Sequence, residues 1–221
     1  MKRAVLLAVV CVAAAVAAAS AGATSECRGL KVCVPVVGPW VVTAGGAQVS
    51  FQLSCPERFV VAGLDAELSR PGVDVTFRGS LGTPVNPGIT TSRSAEFLAR
   101  LLARGEAATF RPHIGCVPAS GGGQRFPTVH HVRPGQPLVP TVVQLPVVPG
   151  VHRLVERCPA GKRLLAATHA VGFYGGSPPS AALVRSITVA QAVRSGAVHL
   201  VMRAARVPGV RAIVQIDLEC A

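Results

Sequence analysis

The sequence has few aromatic residues, few acidic residues and no long runs of charge. Aromatic side chains make up 4% of the 221 residues, and 10 Asp and Glu stand against 22 Lys and Arg. Half of the residues are hydrophobic, which excludes a wholly disordered chain. A single stretch, Ala4 to Ala19, is apolar and long enough to suggest membrane insertion, and this excludes a polytopic membrane protein.

The N-terminus has the three parts of an export signal. Lys2 and Arg3 precede the apolar stretch, and small residues follow it at 20–23. We expect cleavage after Ala23, or after Ala21 as second choice, so that no membrane span remains. An uncleaved anchor is the alternative. The signal predicts a secreted or cell-envelope protein.

Cysteine is scarce, but its number and spacing are informative. Without residues 1–23, six cysteines remain, and an even number in an exported chain predicts disulfides. They are Cys27, Cys33, Cys55, Cys116, Cys158 and Cys220. Because we expect all six to form bridges, none is available as a catalytic nucleophile.

The cysteines mark an internal repeat. Cys55 precedes a proline and is followed 61 positions later by Cys116. Cys158 also precedes a proline and is followed 62 positions later by Cys220. Pairing these cysteines within each copy keeps the two bridges equivalent, and leaves Cys27 and Cys33 to pair locally.

Five segments follow from this repeat. They are a signal peptide at 1–23, an N-terminal segment at 24–39, copy one at 40–117, a Pro/Gly-rich linker at 118–142 and copy two at 143–221. We expect the linker to be mostly extended. Whether the two copies pack together stays open, as does the oligomeric state.

Alternation of apolar and polar residues predicts antiparallel strands in both copies. Val73, Val75 and Phe77 alternate with polar residues, as do other apolar residues near 200. About six short strands per copy predict two tandem antiparallel β-sandwiches of the immunoglobulin-like type. A helix at 97–103 is the alternative for one of these strands. We also predict hairpin turns at 104–106 and 207–209, joining the last two strands of each copy.

No catalytic motif is evident. A Gly-x-Ser-x-Gly motif is absent. Asp217 and Glu219 lie two apart on the last predicted strand, and paired carboxylates can serve glycoside hydrolysis. We expect them instead to form surface ion pairs with His199 or Arg203 across a hairpin. We therefore predict that the protein is not an enzyme.

Histidines and carboxylates do not predict a metal site or a cofactor. His130 and His131 are adjacent, and neighbouring side chains on extended backbone point to opposite sides. Asp65 and His169 are expected at matching positions of the two copies. The exchange of one for the other argues against a shared catalytic role.

The excess of positive charge predicts an anionic partner. The net charge is +12, and the calculated isoelectric point is about 10.7. We expect Arg100 and Arg111 on the outward faces of neighbouring strands in copy one. Arg203 and Arg211 are expected to do the same in copy two. Each pair is a candidate contact for an anionic ligand.

The scarcity of aromatic residues argues against nucleic-acid binding, which usually places aromatic rings between basic residues. Trp40 and Tyr174 are candidate exposed aromatic contacts, with a core position as the alternative for Trp40.

Together these features predict an exported, non-enzymatic binding or structural protein of the bacterial cell envelope or extracellular space. It would contact an anionic polymer or an extracellular protein through basic sheet faces. The alternatives are a secreted hydrolase with an unrecognised site, and an inhibitor-like module that engages a protein through the loop at 80–92.

Overall fold

A computed structural model describes residues 25–43, 47–79, 93–102, 107–119, 139–207 and 209–221. The predicted signal peptide, the loop at 80–92 and most of the linker lie outside these residues. The described part of the chain is all-β, apart from one short helix. No helix within it has the length and apolar character needed to span a bilayer.

Apolar and polar residues alternate along the segments that form the strands. We call residues 25–119 the first half and residues 139–221 the second half. The strands of the first half are β1 Val34–Val37, β2 Trp40–Thr43, β3 Val49–Ser54, β4 Phe59–Leu68, β5 Val73–Gly79, β6 Ser94–Leu101 and β7 Ala108–Pro118. The elements of the second half are β8 Val139–Pro146, β9 Gly150–Arg157, β10 Leu164–Tyr174, α1 Ala181–Arg185, β11 Ile187–Arg194, β12 Ala197–Ala204 and β13 Arg211–Cys220. Phe97 lies in a strand and not in a helix, because every second residue of Ser94–Leu101 is buried and this segment pairs with β3 and β5.

The strands form one large sheet and two small sheets. In the large sheet the order is β4-β7-β1/β2-β10-β13-β8, with β1 and β2 lying one after the other along the same edge of β7. The first small sheet has the order β3-β6-β5, and the second has the order β9-β12-β11. Every pairing is antiparallel.

The large sheet joins the two halves. At their junction, Trp40 and Val41 of β2 pair with Phe173 and Gly172 of β10. Glycine is required at 172, because a Cβ atom there would lie 2.6 Å from the ring of Pro39. The two halves therefore pack together through backbone pairing, a question that the sequence left open.

The two cores lie on opposite faces of the shared sheet. Ala170 and Ile213 of the second half belong to the core of the first half, together with Phe51. Their chain neighbours Val171 and Val214 pack in the core of the second half. Because successive strand residues point to opposite faces, each small sheet covers a different side of the large sheet.

The same pairing pattern occurs in both halves. The β4–β7 pairing has an irregularity between Val61 and Gly63, and the β10–β13 pairing has one between Leu164 and Ala166. In the first half, beyond the irregularity between Val61 and Gly63, Asp65 lies opposite His113.

The matching partners in the second half are Thr168 and Asp217. The prediction that His169 matches Asp65 is therefore wrong by one residue. The reason is that Asp65 and Thr168 lie at the same distance from Cys55 and Cys158, the first cysteines of the two long bridges, and beyond the same irregularity.

The predicted hairpins before the last strands are also wrong. β6 pairs with β3 and β5, whereas β7 pairs with strands of the large sheet. Likewise β12 and β13 belong to different sheets. β6 and β7 therefore lie in different layers, as do β12 and β13, and each core lies between two sheets.

Three disulfides have the predicted pairings. Cys55–Cys116 links the end of β3 to β7, and Cys158–Cys220 links the end of β9 to β13, with Cα atoms 5.8 Å apart in each bridge. Cys27–Cys33 closes a local loop. Each long bridge is expected to stabilise the fold by about 4 kcal/mol. Three disulfides are consistent with an extracellular location.

Candidate functional site

The outer face of the second small sheet is the most distinctive surface of the molecule. Val198, Leu200 and Met202 of β12 point inward and are buried, so the alternate residues point outward. Strand pairing brings twelve outward positions together, which we call the basic face. They are Val151, Arg153, Val155 and Arg157 on β9, Ala197, His199, Val201 and Arg203 on β12, and Thr188, Ala190, Ala192 and Arg194 on β11.

The basic face carries four arginines and no carboxylate. Arginine stays protonated in proteins, so the positive charge is permanent. Within the described part of the chain, no carboxylate oxygen lies within 4.0 Å of Arg153, Arg157 or Arg203. From strand geometry the face is about 10 Å wide and about 25 Å long. It is an extended positive surface with no neutralising groups of its own.

Apolar side chains lie between these arginines. Val151 and Val155 are 53% and 51% exposed. Along β9 they alternate with Arg153 and Arg157, so the guanidinium groups are separated by short aliphatic side chains. This pattern of charge and small apolar groups leaves the face open to an extended ligand.

The corresponding face of the first small sheet is different. Its described outward side chains are Ser50, Gln52 and Ser54 on β3, Ser94, Glu96, Leu98 and Arg100 on β6, and Asp74 and Thr76 on β5. Arg100 pairs in register with Asp74, and the Ser50 hydroxyl donates to the Glu96 carboxylate. This face is polar, but it lacks an excess of positive charge.

Arg100 and Arg111 do not lie on neighbouring strands, contrary to prediction. Arg100 is exposed on the first small sheet, and Arg111 lies on the large sheet. The Arg111 guanidinium is 3.5 Å from the Glu67 carboxylate, donates to the Gly38 carbonyl at 3.3 Å and lies 5.7 Å from the Trp40 ring centre. Arg111 is therefore engaged within the protein.

Arg203 and Arg211 are also separated, because β12 and β13 lie in different sheets. Arg203 belongs to the basic face. Arg211 lies over the Tyr174 ring, with the guanidinium carbon 4.1 Å from the ring centre. Tyr174 is 36% exposed, so it is accessible, but Arg211 occupies one side of its ring.

Trp40 is not an exposed contact. It is 4% exposed, because β2 lies between β7 and β10 and is covered on both sides. The core alternative is the observed one. By contrast, sequence reasoning missed Arg153, Arg157 and Arg194. Alternation of Val, Arg, Val and Arg at every second position of 151–157 is the signal that identifies the exposed side of β9.

Asp217 and Glu219 do not pair with His199 or Arg203 across a hairpin, because β13 pairs with β10 and β8. They line a cleft of about 150 Å³ between the halves. Other polar residues of this cleft are Gln48, Ser50, Gln52, Glu96 and Thr168. The Asp217 carboxylate oxygens are buried.

Gln215 docks the two halves beside this cleft. Its side chain is fully buried on β13. The Gln52 backbone N–H donates to its Oε1 at 2.5 Å, and its Nε2 donates to the Gln52 carbonyl at 3.0 Å. The side-chain amide therefore pairs with β3 much as another strand would. No sequence pattern indicated this contact.

Residues Ser25 to Cys33 cover the outer side of the large sheet in the first half; we call them the N-terminal segment. Glycines at 63 and 115 make room for it, because a Cβ atom at either would overlap the Glu26 carbonyl. Glu26 and His113 are both buried, and their Oε1 and Nδ1 atoms are 3.7 Å apart. The other ring nitrogen of His113 is 3.5 Å from the Glu67 carboxylate.

Asp65 fixes the start of the same segment. Its carboxylate accepts the Ser25 backbone N–H at 2.6 Å and the Ser25 hydroxyl at 3.2 Å. Burial raises the pKa of Asp65, but the hydrogen bonds from Ser25 and Ala66 and the nearby His113 outweigh it and leave the pKa below its usual value. The charged form is therefore the one that holds Ser25.

Comparison with protein-family models, with curated proteins and with solved structures finds no match. Among the residues that the structure describes, no three His, Cys, Asp or Glu side chains are grouped so as to hold a metal ion. His130 and His131 lie outside those residues. The surfaces described above are the basis for inferring a function.

Proposed function

We propose that this chain is an exported, non-enzymatic binding protein that attaches to an anionic polymer of the bacterial cell envelope through the basic face. The observation that carries the proposal is the combination of four arginines with no carboxylate among its twelve outward positions. Each half has nine basic residues, but the first has seven acidic residues and the second has three. The net positive charge is therefore higher in the second half.

The shape of the basic face favours a polymer over a small ligand. Arg153 and Arg157 are separated by about 13 Å along β9, a distance that one small anion cannot bridge. Each exposed ion pair contributes about 0.2–1 kcal/mol and is screened by salt. Repeated negative groups on one polymer can engage several arginines together, which makes the total binding useful.

The rest of the proposal concerns origin and location. We propose that the two halves are duplicated immunoglobulin-like sandwiches, supported by their shared strand order, pairing irregularity and long disulfide. A cleaved signal peptide at 1–23 would deliver the protein to the oxidising compartment that its three bridges require. Anionic envelope polymers are present in that compartment.

Co-sedimentation of the mature, oxidised protein with isolated bacterial envelopes tests the function. We expect binding at low salt that falls steadily as salt rises. The R153A/R157A variant should bind about tenfold more weakly, since two exposed contacts together contribute about 1.4 kcal/mol.

Arg100→Ala is the matched control, because Arg100 is an exposed arginine on the outward side of the first small sheet and lies outside the basic face. It should bind like the unchanged protein. Absence of binding at low salt would contradict the proposal. An equal loss in the control would contradict the assignment to the basic face.

A further inference from the structure

At one end of the basic face lies a shallow depression that is suited to a single oxyanion. It has a volume of about 360 Å³ and is open to solvent. Arg203 and Thr188 enter it from β12 and β11, where they are paired in register. Arg185, the last residue of α1, lines it as well.

The loop around the depression is held in place by backbone contacts. The Ala205 N–H donates to the Ser186 carbonyl at 2.9 Å, which ties the end of β12 to the end of α1. Ser186 also closes α1, since its N–H donates to the carbonyls of Ala182 and Leu183 at 3.1 Å. Arg185 is therefore presented by a fixed helix end beside Arg203.

The lining offers hydrogen-bond donors and no carboxylate. Within the described residues, no carboxylate oxygen lies within 4.0 Å of Arg185 or Arg203. Thr188 is exposed, and its hydroxyl has no hydrogen bond to a described group. The Ser186 hydroxyl is already used, because it donates to the Leu183 carbonyl at 2.7 Å. Two guanidinium groups and one hydroxyl are thus available to a ligand.

Building on the proposed function, we infer that this depression binds the phosphate group of a phosphodiester polymer. Its donors lie on three different elements, which suits a tetrahedral group, whose oxygens point in different directions. A planar carboxylate is satisfied by the fork of one arginine and gains less from the second arginine and the hydroxyl. The remaining arginines of the basic face would then contact further units of the same polymer.

The test compares two polymer probes of matched charge density, a poly(glycerol phosphate) and a polyuronate, at one ionic strength. The unchanged protein should bind the phosphodiester polymer about fivefold more tightly. Arg185→Ala should remove this preference while changing polyuronate affinity less than about twofold. Thr188→Val should reduce the preference in the same direction and by less. Inorganic phosphate should compete with the phosphodiester polymer, and acetate should not.

Arg206→Ala is the matched control, because Arg206 is an exposed arginine that does not line the depression. It should keep the preference. Equal affinity of the unchanged protein for both polymers, or an equal loss for both in Arg185→Ala, would overturn the phosphate assignment and leave the proposed function standing. Binding of neither polymer would overturn both.

Discussion

The two halves share a framework, but the outward faces of their small sheets differ in charge. In both, a three-stranded small sheet packs on strands of the large sheet, with the same pairing irregularity and an equivalent long disulfide. The outward face of the first small sheet mixes Glu96 and Asp74 with Arg100, whereas that of the second is rich in arginine and lacks acid. Inward positions and bridges maintain the sandwich, so outward positions are free to determine what each half binds.

The large sheet shows a second contrast between the halves. In the first half, glycines at 63 and 115 let the N-terminal segment lie against the sheet. The paired residues at the matching positions of the second half are Ala166 and Glu219. There the first small sheet supplies the cover, through Gln215 and Gln52, and it leaves the cleft open. The large sheet is therefore covered by the N-terminal segment in the first half and by the first small sheet in the second half.

Removing a long bridge should have the largest effect, and it should be equal in the two halves. Replacing both cysteines of Cys55–Cys116 or of Cys158–Cys220 with serine is expected to lower the free energy of unfolding by about 4 kcal/mol. Loss of the local Cys27–Cys33 bridge should cost about 2 kcal/mol, because its loop is shorter. Urea denaturation measures all three variants. Clearly unequal losses for the two long bridges would contradict their equivalence.

A Cβ atom at 63 should break the cover of the first half. Gly63→Ala is expected to lower the free energy of unfolding by about 2 kcal/mol, because the new methyl group overlaps the Glu26 carbonyl. Hydrogen exchange at 25–33 should become faster. Gly176→Ala is the control, since a Cβ atom there meets nothing within 4 Å. Unchanged exchange at 25–33 would show that this close approach does not hold the segment.

Gln215→Leu should weaken the cover of the second half by a similar or slightly smaller amount. It keeps the volume of the side chain but leaves the N–H and C=O of Gln52 without their partners, at a cost of about 1–2 kcal/mol. Gln144→Leu on β8 is the control, because Gln144 is exposed. Thermal unfolding measures both. If the two variants are equally stable, Gln215 does not dock the halves.

The smallest effect is expected for Asp65→Asn, which weakens the contact with Ser25. Because the pKa of Asp65 is lowered in the folded state, its charge stabilises the fold above about pH 4, and this contribution is lost as pH falls through the folded pKa. We expect a loss of about 1 kcal/mol at neutral pH, reduced by the partial exposure of the carboxyl group. The difference between the two proteins should shrink as the pH falls through the folded pKa of Asp65. Thr168→Ala in the second half should show no such pH dependence.

Sequence reasoning predicted the local structure better than the neighbours of each strand. Alternation identified the inward side of β12, and the match to that segment favoured a strand at Phe97. The repeated cysteine spacing predicted the two long bridges and left Cys27 and Cys33 to pair with each other. Alternation shows which residues share a face, but it does not show which strand lies beside them. The predicted hairpins therefore failed, and with them the pairing of Arg100 with Arg111.

The same limit explains the residues that sequence reasoning missed or misplaced. Trp40 is buried because β2 lies at the junction of the halves, and no local pattern reports that position. The contact between Gln215 and Gln52 joins residues 163 positions apart. The outward position of Arg153 and Arg157 could have been predicted, because apolar residues and arginines alternate along β9. The basic face could not, because it also needs β12 and β11 to lie alongside β9.

Arginine-selective chemical modification, read by mass spectrometry with and without the phosphodiester polymer, tests the central claim most directly. We predict that the polymer protects Arg153, Arg157 and Arg203 of the basic face, while Arg58 and Arg100 of the first half react at the same rate as before. Protection spread evenly over both halves, or confined to the first half, would contradict a dedicated binding face on the second small sheet.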